Sequence, residues 1–212
     1  MMMQSADVGR GKNLKAILLR LDSRYRNADF ISKDPLKFVY EYTLTADREV
    51  AGLIASMISL GRRETILASG EKIFDALNAT PFESIVSFNS AVRGRVRKIV
   101  HPAPRPIRGV ELERAFRILS RILVENGTLG QYFRSLVKED STAALMNRFV
   151  RPFAEAGCGR LMPTPFNGSA CKRLCMFFRW MVRKDEVDTG LWSSYYPARK
   201  LIIPLDTNVG KA

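Results

Sequence analysis

Basic side chains on one predicted helix offer a surface for binding phosphate groups. The segment "NGSACKRLCMFFRWMVR" covers residues 167 to 183. With about 100° of rotation per residue, Lys172, Arg179 and Arg183 fall within roughly 20° of one line along this helix. The glycine-containing hairpin before the helix leaves the first backbone amides of the helix available to an anion. The alternative, that these side chains are only the solvated face of a basic helix, stays open at this point.

A carboxylate near the end of the sequence is the second candidate for chemistry. Asp206 follows the apolar run from Leu201 to Leu205 and precedes Thr207. Taken alone, an aspartate in this position is typical of a helix N-cap. Together, Asp206 and Lys172 would give one candidate site both a carboxylate and an amine.

The charge of the chain indicates a negatively charged partner. The 212 residues include 34 Lys plus Arg against 21 Asp plus Glu, which gives a formal net charge of +13. A field of this sign attracts polyanions, and nucleic acid is the polyanion that it favours. Charge alone does not separate DNA from RNA, nor binding from catalysis.

The composition also excludes several classes of protein. With 46% hydrophobic and 26% charged residues, the chain is typical of a folded globular protein. It has no apolar run near the roughly 18 residues of a membrane span. The N-terminus lacks the apolar core of a secretory signal, so we expect a cytoplasmic, nucleoid-associated protein with no membrane partner. Because the single histidine and three cysteines contain no CxxC pair, we expect reduced thiols, no bound metal and no cofactor.

Helical periodicity runs through almost the whole chain. "DREVAGLIASMISLG" is apolar nearly all round, which predicts a central buried helix capped by Asp47. We find no sustained alternation of apolar and polar residues, so the sequence predicts an all-α fold. We expect residues 1–212 to form a single domain in two lobes, with the hairpin and the helix after it at residues 161–184.

The motifs resemble those of the helix-hairpin-helix (HhH-GPD) superfamily of DNA glycosylases. The superfamily pattern is approximately L-P-G-V-G-x-K-T-A, followed by V-D-T-H. In "FNGSACKRL", Gly168 and Ala170 stand at the glycines and Lys172 at the lysine, while "LDTNV" places Asp206 at the aspartate. More closely, "DPLKFVYEY", "EVAGLIASMISLGRR", "VDTGLW" and "KLIIPLDT" resemble a bacterial family of unknown function assigned to this superfamily. This closer resemblance covers most of the chain.

The resemblance implies a function and a role for each matched residue. It implies a monomeric glycosylase that excises a damaged base, such as 8-oxoguanine, from duplex DNA and then acts as an abasic-site lyase. Lys172 would be the Schiff-base nucleophile and Asp206 would stabilise the positive charge of the transition state. The residues expected to contact DNA are Gly168, Ser169, Ala170, Arg173, Arg179, Arg183, Arg62 and Arg63. The residues expected to line a pocket for the flipped base are Ser59, Phe166, Trp180 and Trp192.

The chain also departs from the superfamily pattern. Ala170 replaces a hairpin glycine, which would weaken amide contacts to phosphate if a positive φ were required there. Asn208 replaces the usual histidine, and the sequence ends at Ala212, where these folds continue. We therefore expect a C-terminally truncated copy of the fold.

Three alternatives remain beside this hypothesis. The first is a non-catalytic DNA-binding protein on the same scaffold, in which Lys172 only contacts phosphate. The second is an RNA-binding protein. The third concerns single residues: Trp180 and Trp192 are typical of core positions, and "RR" at residues 62 and 63 is typical of a solvated turn.

Overall fold

The computed structural model describes residues 14–21, 23, 28–78 and 80–204, and the structural statements below concern these residues. Eleven helices follow one another in this part of the chain. They are α1 (14–21), α2 (Ala28–Ile31), α3 (Lys37–Tyr40), α4 (Thr45–Ile58), α5 (Arg63–Leu77), α6 (Pro81–Ser87), α7 (Ser90–Arg97), α8 (Gly109–Asn126), α9 (Leu129–Leu136), α10 (Thr142–Glu155) and α11 (Lys172–Val182). The all-α prediction is confirmed, and the division into two lobes stays a prediction.

A short two-stranded sheet interrupts the helices. Strands β1 (Val100–His101) and β2 (Ile107–Arg108) pair antiparallel, with Val100 opposite Arg108. The proline-rich segment between them forms the connecting turn. This pair of strands leads directly into α8, so it fixes where that helix begins.

Helix α4 is the centre of the core, as its sequence predicts. It packs against α3, α5, α6, α9 and α11. Gly52 makes the close approach of α11 possible, because a Cβ added there would lie 2.9 Å from the methyl carbon of Met181. The helix begins at Thr45, two residues before the predicted cap. Asp47 is buried and accepts a hydrogen bond of 2.8 Å from the backbone N–H of Phe82, so the predicted N-cap is wrong.

A buried carboxylate ties α4 to α9 and to the segment after α11. Glu49 is 2% exposed, and its Oε1 accepts a hydrogen bond of 2.7 Å from the indole Nε1 of Trp192. Its Oε2 accepts a second bond of 3.0 Å from the backbone N–H of Gly130. Burial raises the pKa of Glu49, and the two hydrogen bonds oppose that rise. This contact holds α11 and its C-terminal loop in place relative to α4.

Candidate functional site

The connection from α10 to α11 is a tight turn with two left-handed residues. Thr164 Oγ1 caps the turn Pro165–Asn167 by accepting a hydrogen bond of 3.4 Å from the N–H of Phe166. Gly168 follows with φ +71°. Ser169 Oγ then accepts a bond of 3.1 Å from the N–H of Cys171, which itself has φ +48°. The predicted turn before the helix is therefore present.

The positive backbone angles do not fall on Ala170. Gly168 and Cys171 carry them, and Ala170 is absent from the described non-glycine residues with positive φ. An alanine at this position is therefore compatible with the hairpin, so the departure from the glycine pattern carries no backbone strain. Gly168 and Ala170 are exposed, and Ser169 is partly buried.

Lys172 is the first residue of α11 and is exposed. It directly follows Cys171, so the hairpin fixes where its backbone lies. A side chain in the first turn of an 11-residue helix lies at the end where the backbone amides point outwards. The sequence predicts an amine at this position of the helix, and its reactivity stays a prediction.

A cleft of about 470 Å³ lies beside the hairpin. One wall is formed by the hairpin from Gly168 to Cys171, and another by the segment from Ile202 to Pro204. Pro204 is the last described residue before Asp206 in the sequence. Asp206 itself lies outside the described residues, so its predicted proximity to Lys172 stays a prediction.

Arg173 has a structural role, and its predicted contact with DNA stays a prediction. Its guanidinium donates a hydrogen bond of 2.6 Å to the carbonyl oxygen of Met57 and another of 2.6 Å to that of Arg160. Burial lowers its pKa, as expected for a cation removed from water. Arg173 therefore joins α11 to the end of α4.

Arg179 and Arg183 surround a buried carboxylate. Asp188 is 1% exposed, and its Oδ2 lies 2.8 Å from Nε of Arg179 and 3.2 Å from Nε of Arg183. Arg183 also donates a bond of 2.6 Å to Oδ2 of Asp185. Burial raises the pKa of Asp188, and the two guanidinium groups oppose that rise. Both guanidinium groups hold the loop after α11, and the predicted contact of Arg179 and Arg183 with phosphate stays a prediction.

The turn between α4 and α5 presents two exposed arginines. Arg62 precedes the first residue of α5, and the Arg63 guanidinium lies 5.3 Å from the centre of the Phe30 ring. Ser59 is only partly buried, and its Oγ donates a hydrogen bond of 2.8 Å to the carbonyl oxygen of Ala55. Ser59, Arg62 and Arg63 thus lie on an accessible turn, and their predicted contacts with DNA and with a flipped base stay predictions.

A buried histidine fixes this turn, and sequence reasoning missed it. His101 is fully buried, with Nε2 at 2.8 Å from the carbonyl oxygen of Leu60 and Nδ1 at 2.9 Å from Oγ of Ser69. Because the carbonyl only accepts, Nε2 carries the proton and Nδ1 accepts from the serine hydroxyl. Burial lowers the pKa of His101, so the ring is neutral. No local sequence motif indicates this contact, because the partners of His101 lie far away in the sequence.

The aromatic residues predicted for a base pocket divide into two groups. Phe166 is 68% exposed beside the hairpin, so its ring is accessible to a ligand. Trp180 and Trp192 are 4% and 0% exposed, and Trp192 stacks on Phe133 at a centroid distance of 4.5 Å. Both are therefore core residues, and their assignment to a base pocket stays a prediction.

Comparison with known proteins identifies a family. Neither the curated proteins nor the solved structures include a match to this chain. None of the helices that the structure describes has an apolar stretch long enough to cross a membrane. The wider resemblance to DNA glycosylases rests on the sequence motifs alone. The sequence model of a family described as a protein of unknown function (DUF2400) matches residues 34–212, and the chain belongs to that family.

Proposed function

We propose that this chain is a monomeric DNA repair glycosylase with abasic-site lyase activity. It acts on duplex DNA and excises a damaged, oxidised base such as 8-oxoguanine. The net charge of +13 supports a polyanionic partner. The exposed amine of Lys172, at the start of a helix that follows a tight turn, supports the lyase step.

The observation that carries the proposal is the cleft beside the hairpin. It joins the hairpin, which ends one residue before Lys172, to the segment that ends at Pro204. Asp206 is two positions beyond Pro204, and two residues of chain extend over about 7 Å at most. The hairpin that precedes Lys172 and the segment that precedes Asp206 therefore line the same cleft, which supports a shared site for the amine and the carboxylate.

The chemistry follows from these two groups. The nitrogen lone pair of the Lys172 amine attacks C1′ of the nucleotide, and the bond from C1′ to the base nitrogen breaks as the new C–N bond forms. The base leaves with that electron pair and takes up a proton. Asp206 stabilises the positive charge that develops on the sugar ring. The attached nitrogen then loses a proton as the C1′–O4′ bond breaks and O4′ takes up a proton, which opens the sugar ring and leaves a Schiff base. Loss of a proton from C2′ then breaks the C3′–O bond and releases the 3′ phosphate by β-elimination.

Access to C1′ requires the base to leave the helical stack. Phe166 supplies an exposed ring on which a flipped base can stack. Arg62 and Arg63 lie on an exposed turn and supply cations for the DNA backbone or for the gap left in the duplex. Ser59 lies at the same turn.

Borohydride trapping tests the proposal. Borohydride reduces a Schiff base to a stable amine, so the parent is expected to form a covalent adduct with duplex DNA that carries an abasic site or 8-oxoguanine. Lys172→Gln should abolish the adduct, and Asp206→Asn should reduce the rate of base release. Lys184→Gln is the matched control, because Lys184 is an exposed lysine just beyond the opposite end of α11 from Lys172. Tight duplex binding without any adduct would refute the lyase and support a non-catalytic DNA-binding protein.

A further inference from the structure

Four arginines converge on α7 and α8, away from the hairpin. Arg93, Arg97 and Arg117 line a cleft of about 260 Å³ together with Glu113. Arg97, Arg114 and Arg117 line an adjoining cleft of about 250 Å³, again with Glu113. We call these four arginines the arginine face. Neither the hairpin nor the segment near Asp206 contributes to it.

The sequence explains why these side chains meet. Arg93 and Arg97 are four residues apart on α7, and Arg114 and Arg117 are three residues apart on α8. Both spacings place side chains on the same side of a helix. Since α7 packs directly against α8, the two basic stripes are brought together.

One buried carboxylate organises the arginine face. Glu113 is 4% exposed, and its Oε1 accepts hydrogen bonds of 2.6 Å and 3.1 Å from Nη2 and Nε of Arg117. Nε of Arg97 donates to its Oε2. Burial raises the pKa of Glu113, but the bonds from the two arginines outweigh burial and hold the pKa below its usual value. Glu113 is therefore ionised, and it fixes two guanidinium groups side by side.

The charge of this face is not balanced by the protein. Four arginines and one glutamate give a net charge of +3, from four positive charges less one. Within the described ranges, Arg93 and Arg114 have no carboxylate within salt-bridge distance. Glu111, which lies nearby on α8, is engaged at 2.6 Å by Arg160. Like charges held close together repel, so an anion bound between them would be stabilised.

The neighbouring residues extend the same charge. Lys98, Arg105 and Arg108 are exposed on the chain between α7 and α8. Arg121 lies one helical turn beyond Arg117, but its Nε is 3.9 Å from Oε1 of Glu125, so it adds no net charge. The basic surface is therefore longer than a site for a single small anion.

We propose that the arginine face binds the phosphate backbone of a nucleic acid. The planar guanidinium group pairs with phosphate through two parallel hydrogen bonds, and a row of them matches a chain of phosphates. An anionic membrane is disfavoured, because a membrane-binding face carries large apolar side chains beside its cations. Val110 is the exposed large apolar residue that lines these clefts.

Hydrogen bonds link the start of α11 to the loop between β1 and β2, which precedes α8. Arg173 donates to the carbonyl oxygen of Arg160, and Arg160 donates a hydrogen bond of 2.9 Å to the carbonyl oxygen of Arg105. The inference shares with the proposed function the expectation of a nucleic-acid partner, but it does not depend on the chemistry of Lys172.

Salt-dependent binding tests the inference. We would measure the affinity of the full chain for an undamaged duplex over a range of salt concentrations. Each phosphate contact contributes about 0.9 to the slope of log K against log salt. Arg93→Gln/Arg114→Gln is expected to make the slope shallower by about 1.8. Arg134→Gln/Arg151→Gln removes the same charge from exposed positions outside both clefts and is expected to keep the slope of the parent.

Two further variants keep the outcome unambiguous. If the double variant does not fold, Arg114→Gln alone replaces it, with an expected change of about 0.9 in slope. Arg93→Lys/Arg114→Lys retains both charges and should retain most of the slope.

The inference would be overturned if Arg93→Gln/Arg114→Gln and Arg134→Gln/Arg151→Gln had the same slope of log K against log salt. The inference would also be overturned if Arg93→Gln/Arg114→Gln lost binding to phosphatidylserine vesicles while its binding to the duplex stayed that of the parent. That result would assign the face to a membrane. A change in slope without any borohydride adduct would refute the proposed lyase and leave the arginine face standing. Absence of duplex binding by the parent would refute both.

Discussion

Replacing Arg179 with glutamine is expected to destabilise the fold, because Arg179 neutralises a buried charge. Asp188 is 1% exposed, and its Oδ2 lies 2.8 Å from Nε of Arg179. Within the described residues, Oδ1 of Asp188 has no hydrogen-bond partner. Loss of Arg179 would leave this carboxylate dependent on Arg183 alone.

The size of the effect follows from the burial of the two partners. Removing one partner of a fully buried ion pair costs about 3 to 5 kcal/mol. The Arg179 side chain is 48% exposed, so water screens part of the interaction, and Arg183 remains 3.2 Å from the same oxygen. We therefore expect Arg179→Gln to lower the free energy of unfolding by about 1 to 3 kcal/mol.

Urea denaturation measures this loss, and Arg151→Gln is the matched control. Arg151 faces Glu155 at 3.6 Å, but both side chains are largely exposed, at 71% and 68%. An exposed pair of this kind contributes about 0.5 kcal/mol or less. A loss in Arg179→Gln no larger than in Arg151→Gln would refute the structural role of Arg179. In a double-mutant cycle, Asp188→Asn should remove most of the effect of Arg179→Gln.

Three further substitutions test the fold around the site. Trp192→Phe should lower the free energy of unfolding by about 1 to 3 kcal/mol in urea denaturation, because Glu49 loses a buried hydrogen bond; an unchanged midpoint would contradict that bond. The depressed pKa of His101 means that the unfolded chain takes up a proton near pH 6.5 while the folded chain does not, so stability falls as the pH drops below that value. The free energy of unfolding should change with pH by at most about 1.4 kcal/mol per pH unit from this group, and His101→Gln should lack that contribution. Equal pH profiles of stability for the parent and His101→Gln would refute the buried neutral ring. Gly52→Val should lower the thermal midpoint at a cost of about 1 to 3 kcal/mol, because Met181 approaches closely, whereas Gly94→Ala, in open space, should not.

Helix content and the position of α4 were predictable from the sequence because they depend on local periodicity. A helix that is apolar nearly all round has no solvated face, so it must lie inside the protein. The hairpin was predictable for a similar reason, since prolines and a glycine between two helical segments demand a turn. The positions of the left-handed residues were not predictable, because Cys171 takes an angle that favours glycine.

The partners of charged residues were not predictable, because they depend on contacts distant in sequence. Asp47 has the local pattern of a helix cap, yet it bonds to the N–H of Phe82 on another helix. The helical wheel places Arg179 and Arg183 on one line, but it does not show that the chain returns to place Asp188 between them. A wheel describes one helix, whereas burial of charge is decided by the segments that pack around it.

The central claim is that Lys172 is the nucleophile, and the site of the covalent bond tests it most directly. After borohydride trapping on abasic duplex DNA, the adduct would be digested with protease and nuclease and mapped by mass spectrometry. The account predicts that the remnant of the sugar is attached to Nζ of Lys172. Attachment to another lysine or to the N-terminal amine, with Lys172 unmodified, would contradict it.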